Sequence, residues 1–332
     1  MKRTYLLAAS LMMMLFSACE TTETVYDPQD GPIVPEFPAP TAQEFGDLQE
    51  QALANITQEF TFINDPSGMM QFMSESGVEI TIYGGCLTVN GVPVTGEVTL
   101  EYVEIFNSGS MVVTGMPTMG MMPDGDLAML VSGGEFYVNA THNGQPVDLA
   151  CGFQLQIPGS LTGGTDGDMT LWNGLVAEDG DVVWEEEDND GPNQENGVFV
   201  EGGTYYAFVG NFGWTNVDRF YSDPRPKTTI KVDVPDGFTN QNSAVYISYN
   251  EEGNALAMLD TYDPATGYFS EHYGQIPIGL ECHVIFVSEN DGEWIYAIKA
   301  VTITENGVIT FTDADLDSVT EAELIALINA LP

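Results

Sequence analysis

Apolar and polar positions alternate with period two along most of the chain. Val78, Ile80 and Ile82 are separated by Glu79 and Thr81, and Val98, Leu100 and Tyr102 by Thr99 and Glu101. Phe136-Val138-Ala140 and Phe153-Leu155-Ile157 repeat the pattern, which is what a strand with one buried face requires. It returns later at Ile230-Val232-Val234, Val245-Ile247-Tyr249, Val284-Phe286 and Trp294-Tyr296-Ile298. Asn90-Gly91, Asn143-Gly144, Asn173-Gly174 and Asn306-Gly307 offer the positive φ that tight hairpin turns need.

Helical spacing interrupts this pattern at the two ends of the body. Thr41 and Glu44 form a capping-box pair ahead of Phe45, Leu48, Ala52 and Ile56, which predicts a short helix over residues 41–55. Near the end, Ser318 and Glu321 make a second box before Leu324, Ile325, Leu327, Ile328 and Leu331. A closing amphipathic helix within residues 313–332 is therefore predicted, with Asp317 beside its positive end. Between them, the Ser-Asp-Pro-Arg-Pro-Lys run of residues 222–227 breaks any strand, since neither proline can donate. The predicted fold is all-β: two tandem β-sandwiches, residues 41–222 with the leading helix and residues 227–312, followed by the closing helix.

The length of 332 residues suits this organisation, at ~150 residues per domain. Hydrophobic residues make up 43%, and the 35 glycines and 18 prolines follow no triplet period, so collagen and wholesale disorder are both excluded. Charge changes the picture more. Fifty acids face seven cations, for a formal charge of −43, and residues 20–218 hold no Lys or Arg. Nucleic-acid binding and polybasic lipid docking both need clustered cations, so neither is a role for this chain.

The start of the chain is a different kind of segment. Lys2-Arg3 precedes an apolar run over residues 5–18, which ends Leu15-Phe16-Ser17-Ala18-Cys19. Residues 1–18 read as a secretory signal, too short for the ~20 residues that span a bilayer. Leu-x-x-Ala-Cys resembles a bacterial lipobox, which implies cleavage before Cys19 and acylation of its sulfur. Each buried CH₂ of such chains contributes ~0.8 kcal/mol to membrane binding. Residues 19–40, rich in Thr, Pro and acids, read as a tether. The expected location is the bacterial envelope, as an outer-membrane lipoprotein on the periplasmic face or the cell surface, touching the membrane through lipid alone.

A family resemblance points the same way. The stretch Gly91-Val-Pro-Val-Thr-Gly-Glu-Val-Thr-Leu-Glu-Tyr-Val-Glu-Ile, with Met111, Met116-Pro117-Thr118, Leu130-Val-Ser-Gly-Gly-Glu-Phe-Tyr-Val-Asn-Ala-Thr and Gly213-Trp214-Thr-Asn216-Val-Asp218-Arg219-Phe220, resembles uncharacterised surface-type lipoproteins of Bacteroidota. The first part is also similar to the β-sandwich of ankyrins and netrin receptors. Glu20-Thr-Thr-Glu23 is similar in part to a surface-export tag. The resemblance implies an all-β envelope lipoprotein and carries no catalytic residue.

Candidate chemistry is sparse. His142, His272 and His283 sit in no paired ligand spacing, and neither G-x-S-x-G nor a P-loop lysine occurs. Carboxylate pairs are too abundant among fifty acids to signal glycoside hydrolysis. An enzyme is accordingly the lesser reading. Glu186, Asp188 and Asp190 gather hard oxygen ligands before Gly191, but position twelve is Gly197, so the segment reads first as a solvated acidic loop and second as a calcium site. Asp313, Asp315 and Asp317 begin a similar series that ends on Leu324. No other cofactor is called for.

The six methionines from Met111 to Met129 read as packing rather than Cu(I) ligands. With Cys19 acylated, Cys86 and Cys151 are the expected disulfide, Cys282 a buried thiol. Trp214, Asn216, Asp218 and Arg219 form a cluster read as a domain joint or a ligand contact, with Arg219 held by Asp218 or a cross-strand acid. Two functions follow: a non-catalytic adhesion, structural or protein-binding lipoprotein, or a glycan-binding one that stacks sugars on Trp172, Trp184 and Trp214.

Overall fold

A computed structural model describes residues 37–176, 182–187 and 197–332. The signal segment, Cys19, most of the tether, Asp188 and Asp190 lie outside these residues. Strands dominate, joined among the described residues by three short helices: α1 (Ala42–Ile56), α2 (Ser108–Thr114) and α3 (Glu321–Asn329). The expected all-β class holds. Thr41 caps α1 as its sequence requires, accepting from the Glu44 N–H while the Glu44 carboxylate takes the Thr41 N–H at 2.8 Å.

The strands before residue 222 form two main sheets. One runs in the order Gln58–Asn64, Gly96–Ile105, Leu127–His142, Gly213–Phe220, Thr170–Val176, Val182–Glu186, Met119–Met121. The other runs Gly197–Glu201, Thr204–Val209, Phe153–Pro158, Glu79–Tyr83, Met69–Met73, antiparallel throughout. Their facing residues, Leu100, Tyr102, Phe136 and Val138 from the first and Ile80, Ile82, Leu155 and Tyr205 from the second, share one buried cluster. Cys86 and Cys151 are joined by a disulfide with their Cα atoms 5.0 Å apart.

After residue 227 a sheet of Ala257–Met258, Ser243–Tyr249, Glu281–Asn290, Glu293–Thr302 and Asp317–Val319 lies with a smaller one that includes Lys231–Asp233. Each sheet draws its strands from one side of the 222–227 break. Clean alternation fails here for a physical reason. Ser243–Tyr249 is buried at every position, because Val245, Ile247 and Tyr249 enter the main core while Ala244 and Tyr246 pack in a second cluster with Phe45 and Ala52 of α1 and Leu324 and Ile328 of α3. For the same reason Trp294, Tyr296 and Ile298 are only half of the story. They lie on the helix side, and the unpredicted positions Ile295 and Ala297 supply the main core.

Three local expectations are corrected. Asn173-Gly174 is no hairpin turn but lies inside the strand Thr170–Val176, where a Cβ on Gly174 would meet the Trp214 Cβ at 2.5 Å. The glycine there makes room for a tryptophan. Its three counterparts do turn, with φ of 53° at Asn90, 50° at Asn143 and 51° at Asn306. The cap of α3 is Thr320 with Glu323, not Ser318 with Glu321. Asp317 and Ser318 instead belong to a strand paired with Glu293–Thr302, and Ser318 donates to the Glu293 carboxylate at 2.9 Å. Two overlapping S/T-x-x-E patterns compete at this point, and the edge pairing of residues 317–319 selects the later one.

Candidate functional site

Residues from the two sides of the 222–227 break meet at a joint held largely by backbone hydrogen bonds. Thr118 N–H donates to the Leu256 carbonyl at 2.9 Å, and Leu256 N–H returns to the Thr118 hydroxyl at 2.8 Å. Ser132 N–H donates to the Asn254 carbonyl and Ser108 N–H to the Gly253 carbonyl, at 3.1 and 3.0 Å. The turn at residues 253–256 therefore plugs into the first sheet group. The methionines Met111, Met116, Met119 and Met129 line this region as buried packing.

Two carboxyl groups are enclosed beside the joint. Glu135 and Asp218 have 0% exposure, and both oxygens of Glu135 and Oδ1 of Asp218 have no hydrogen-bond partner. Asn216, across the strand from Glu135, donates to Asp218 Oδ2 at 2.6 Å and accepts from the Ser132 hydroxyl at 2.9 Å. Burial pushes both carboxyls well above the usual carboxylate range, and for Glu135 the neighbouring Asp218 adds to the effect. Burial thus favours the protonated form of each acid, while hydrogen bonds from Ser132 and the Gly133 N–H oppose the shift at Asp218.

Arg219 points the other way. Its Nε donates to Asp166 at 2.6 Å, not to Asp218, and Nη1 donates to the Phe220 carbonyl at 3.2 Å. Successive strand residues face opposite sides, so Asp218 and Arg219 cannot both reach the same partner. The pair's side chains keep 31% and 37% exposure, so it contributes at most ~1 kcal/mol. Trp214 and Phe220 are half-buried, against Tyr137 and Trp172 respectively.

A cavity of about 200 Å³ opens at the joint, lined by Met129, Phe220, Tyr249, Lys227, Glu271 and Tyr273. Glu271 accepts there from the Tyr273 and Gly274 N–H groups at 2.7 and 2.8 Å. It falls below the ~300 Å³ of ordinary ligand pockets.

The tryptophans named by the sequence do not form a stacking surface. Trp172 and Trp184 are fully buried and donate their indole N–H to the carbonyls of Asp218 and Pro117. Glu186 is exposed at a strand end, while its two proposed companions lie outside the described residues. Asp315 is engaged by Lys299 at 2.8 Å and by the Thr312 cap. Among the described residues no group of three or more His, Cys, Asp or Glu is placed to hold a metal. Cys282 is a buried free thiol whose pKa burial pushes up to about 12, which disfavours the nucleophilic thiolate.

Sequence reasoning missed the solvent face of the second sheet. Of its exposed aromatics, Phe208 lies between buried Ala207 and Val209, Tyr83 follows buried Ile82, and Phe199 stands in a strand exposed from there to residue 201. The signal was present in Phe153-Leu155-Ile157, since an inward set fixes Gln154 and Gln156 as outward. Compared with known proteins, the chain matches no family model, and no curated protein is similar enough to count as a relative.

Proposed function

We propose that the chain is a lipid-anchored, non-catalytic protein of the bacterial envelope, acylated at Cys19 and standing off the outer membrane on the tether of residues 19–40. Its body is read as two tandem β-sandwiches, residues 41–222 and 227–312, closed by residues 313–332, and its role as binding a partner rather than turning over a substrate. The observation that carries this reading is the series Lys2-Arg3, apolar residues 5–18 and Leu15-Phe16-Ser17-Ala18-Cys19. Further support comes from sheets whose strands do not cross the 222–227 break, and from an interior whose buried acids are enclosed rather than set in a cleft. Among the described residues no helix is long and apolar enough to cross a membrane, which is compatible with attachment through lipid.

The test is fractionation of the full chain. Wild type is expected in the membrane fraction with an acyl-bearing N-terminal peptide, and Cys19→Ala in the soluble fraction. Membrane association unchanged by Cys19→Ala, with no acylated peptide in mass spectrometry, overturns the anchor.

A further inference from the structure

The solvent face of the sheet Gly197–Glu201, Thr204–Val209, Phe153–Pro158, Glu79–Tyr83, Met69–Met73 is chemically ordered. Cross-strand register places Phe199, Tyr206, Gln156, Glu79 and Met73 in one row across all five strands. The next row carries Phe208, Gln154, Thr81 and Gln71. Phe199 is 61% and Tyr83 56% exposed, and Phe199 meets Phe208 edge to face at 5.9 Å. Phe199, Tyr206 and Phe208 thus stand on the two strands at one edge, Tyr83 stands on the fourth strand, and polar side chains lie between them.

That centre is oriented. Glu79 Oε1 accepts from Gln71 Nε2 at 2.8 Å and from Gln156 Nε2 at 2.9 Å. Only the amide nitrogens can donate to a carboxylate, so the orientation of both amides is fixed. The amide oxygen of each glutamine is the end turned away from Glu79 Oε1 and is an acceptor. A cluster of oriented acceptors on the same face as exposed rings matches a ligand with many hydroxyl donors and apolar C–H faces, which is the chemistry of a sugar.

Charge narrows the choice. The face is built from residues 69–208, inside the stretch of 20–218 that has no Lys or Arg, so nothing on it can pair with a sulfated or uronate polymer. A second copy of a chain carrying −43 would be repelled by its own charge. Exposed contiguous aromatics on a monomer are otherwise a liability. We propose that this face binds a neutral polysaccharide, its sugar rings stacked on Phe199, Tyr206 and Phe208 and its hydroxyls bonded by Gln71, Glu79 and Gln156. Five strands at ~4.8 Å give a platform about 20 Å wide, enough for several sugar units in line. The proposal rests on the reading of the chain as a binding protein and supplies its ligand class.

The experiment is affinity electrophoresis of the detergent-solubilised full chain in gels containing β-1,3-glucan, β-1,4-glucan, xylan or mannan, with alginate as the anionic contrast. The expected result is retardation by at least one neutral polymer and none by alginate. Phe199→Ala combined with Phe208→Ala should abolish it with an unchanged melting curve because both rings are exposed, and Gln156→Ala, at a half-buried position bonded to Glu79, should weaken binding about tenfold while the chain stays folded. Retardation by no neutral polymer, retardation insensitive to these substitutions, or a dimer of wild type that the double variant dissolves each overturns the proposal. The fractionation of Cys19→Ala reads the anchor separately, so failure of one inference does not mimic failure of the other.

Discussion

Glu135 and Asp218 set the behaviour of this protein at the scale of single residues. Both lack any exposed surface and three of their oxygens are unpartnered, so an ionised carboxylate would be uncompensated at Glu135 and only partly compensated, by the Asn216 amide, at Asp218. The native state keeps their protons at pH values where the unfolded chain, with ordinary carboxyl pKa values near ~4, has lost them. Stability from this source is complete below about pH 4 and falls as pH rises toward the raised native values. Glu135→Gln with Asp218→Asn is therefore expected to flatten the decline of Tm with pH and to raise stability near pH 8 by on the order of 1 kcal/mol. Calorimetric scans from pH 4 to 8 check this, and an unchanged slope would show that surface repulsion alone sets it. The few cations show the opposite economy. Arg225 is taken up by Asp223 at 2.5 Å and Lys299 by Asp315 at 2.8 Å, each within its own neighbourhood.

At the scale of elements, the helices do more than cap the ends. α2 and α3 approach closely at Gly109, where an added Cβ would lie 2.6 Å from the Ile325 carbonyl oxygen, and Gly109 N–H donates to the Asn329 side chain at 2.9 Å. Leu324 and Ile328 then bury against a cluster containing Met111, Val112, Trp294 and Val287. The helices thus join residues on both sides of the 222–227 break. Gly109→Ala is expected to cost ~1–3 kcal/mol by forcing backbone apart, and Leu324→Ala ~2–5 kcal/mol by leaving a cavity. Urea denaturation followed by tryptophan fluorescence and by far-UV circular dichroism checks both. Coincident shifts in the two signals are expected if the halves unfold together, and two separated transitions would show that the helices stabilise only one of them.

For the whole molecule, the disulfide is the main covalent constraint. It closes a loop with a sequence separation of 65 residues, which in the chain-entropy treatment corresponds to about 4 kcal/mol. Replacing Cys86 and Cys151 together by alanine should lower Tm by several degrees, and reductant should do the same to wild type but nothing further to the variant. A wild-type melting curve indifferent to reductant would contradict this. A formal charge of −43 makes the constraint more consequential, because self-repulsion favours an expanded chain.

What the sequence determined by itself is what depends on near neighbours. Period-two alternation located Glu79–Tyr83, Gly96–Ile105 and Phe153–Pro158, the Thr41 and Glu44 pair located α1, and the Asn-Gly steps located three turns, because strands, caps and turns are set within a few residues. What only the tertiary structure decided depends on what lies across the sheet. The alternation of Ser243–Tyr249 disappears because helices cover its second face. Gly174 serves Trp214 rather than a turn, and Arg219 finds Asp166 rather than its neighbour Asp218. The aromatic face followed the same division. Which residues point outward is written in the period of each strand, but that Phe199, Tyr206, Gln156 and Glu79 stand in one row is a matter of register between strands far apart in the chain.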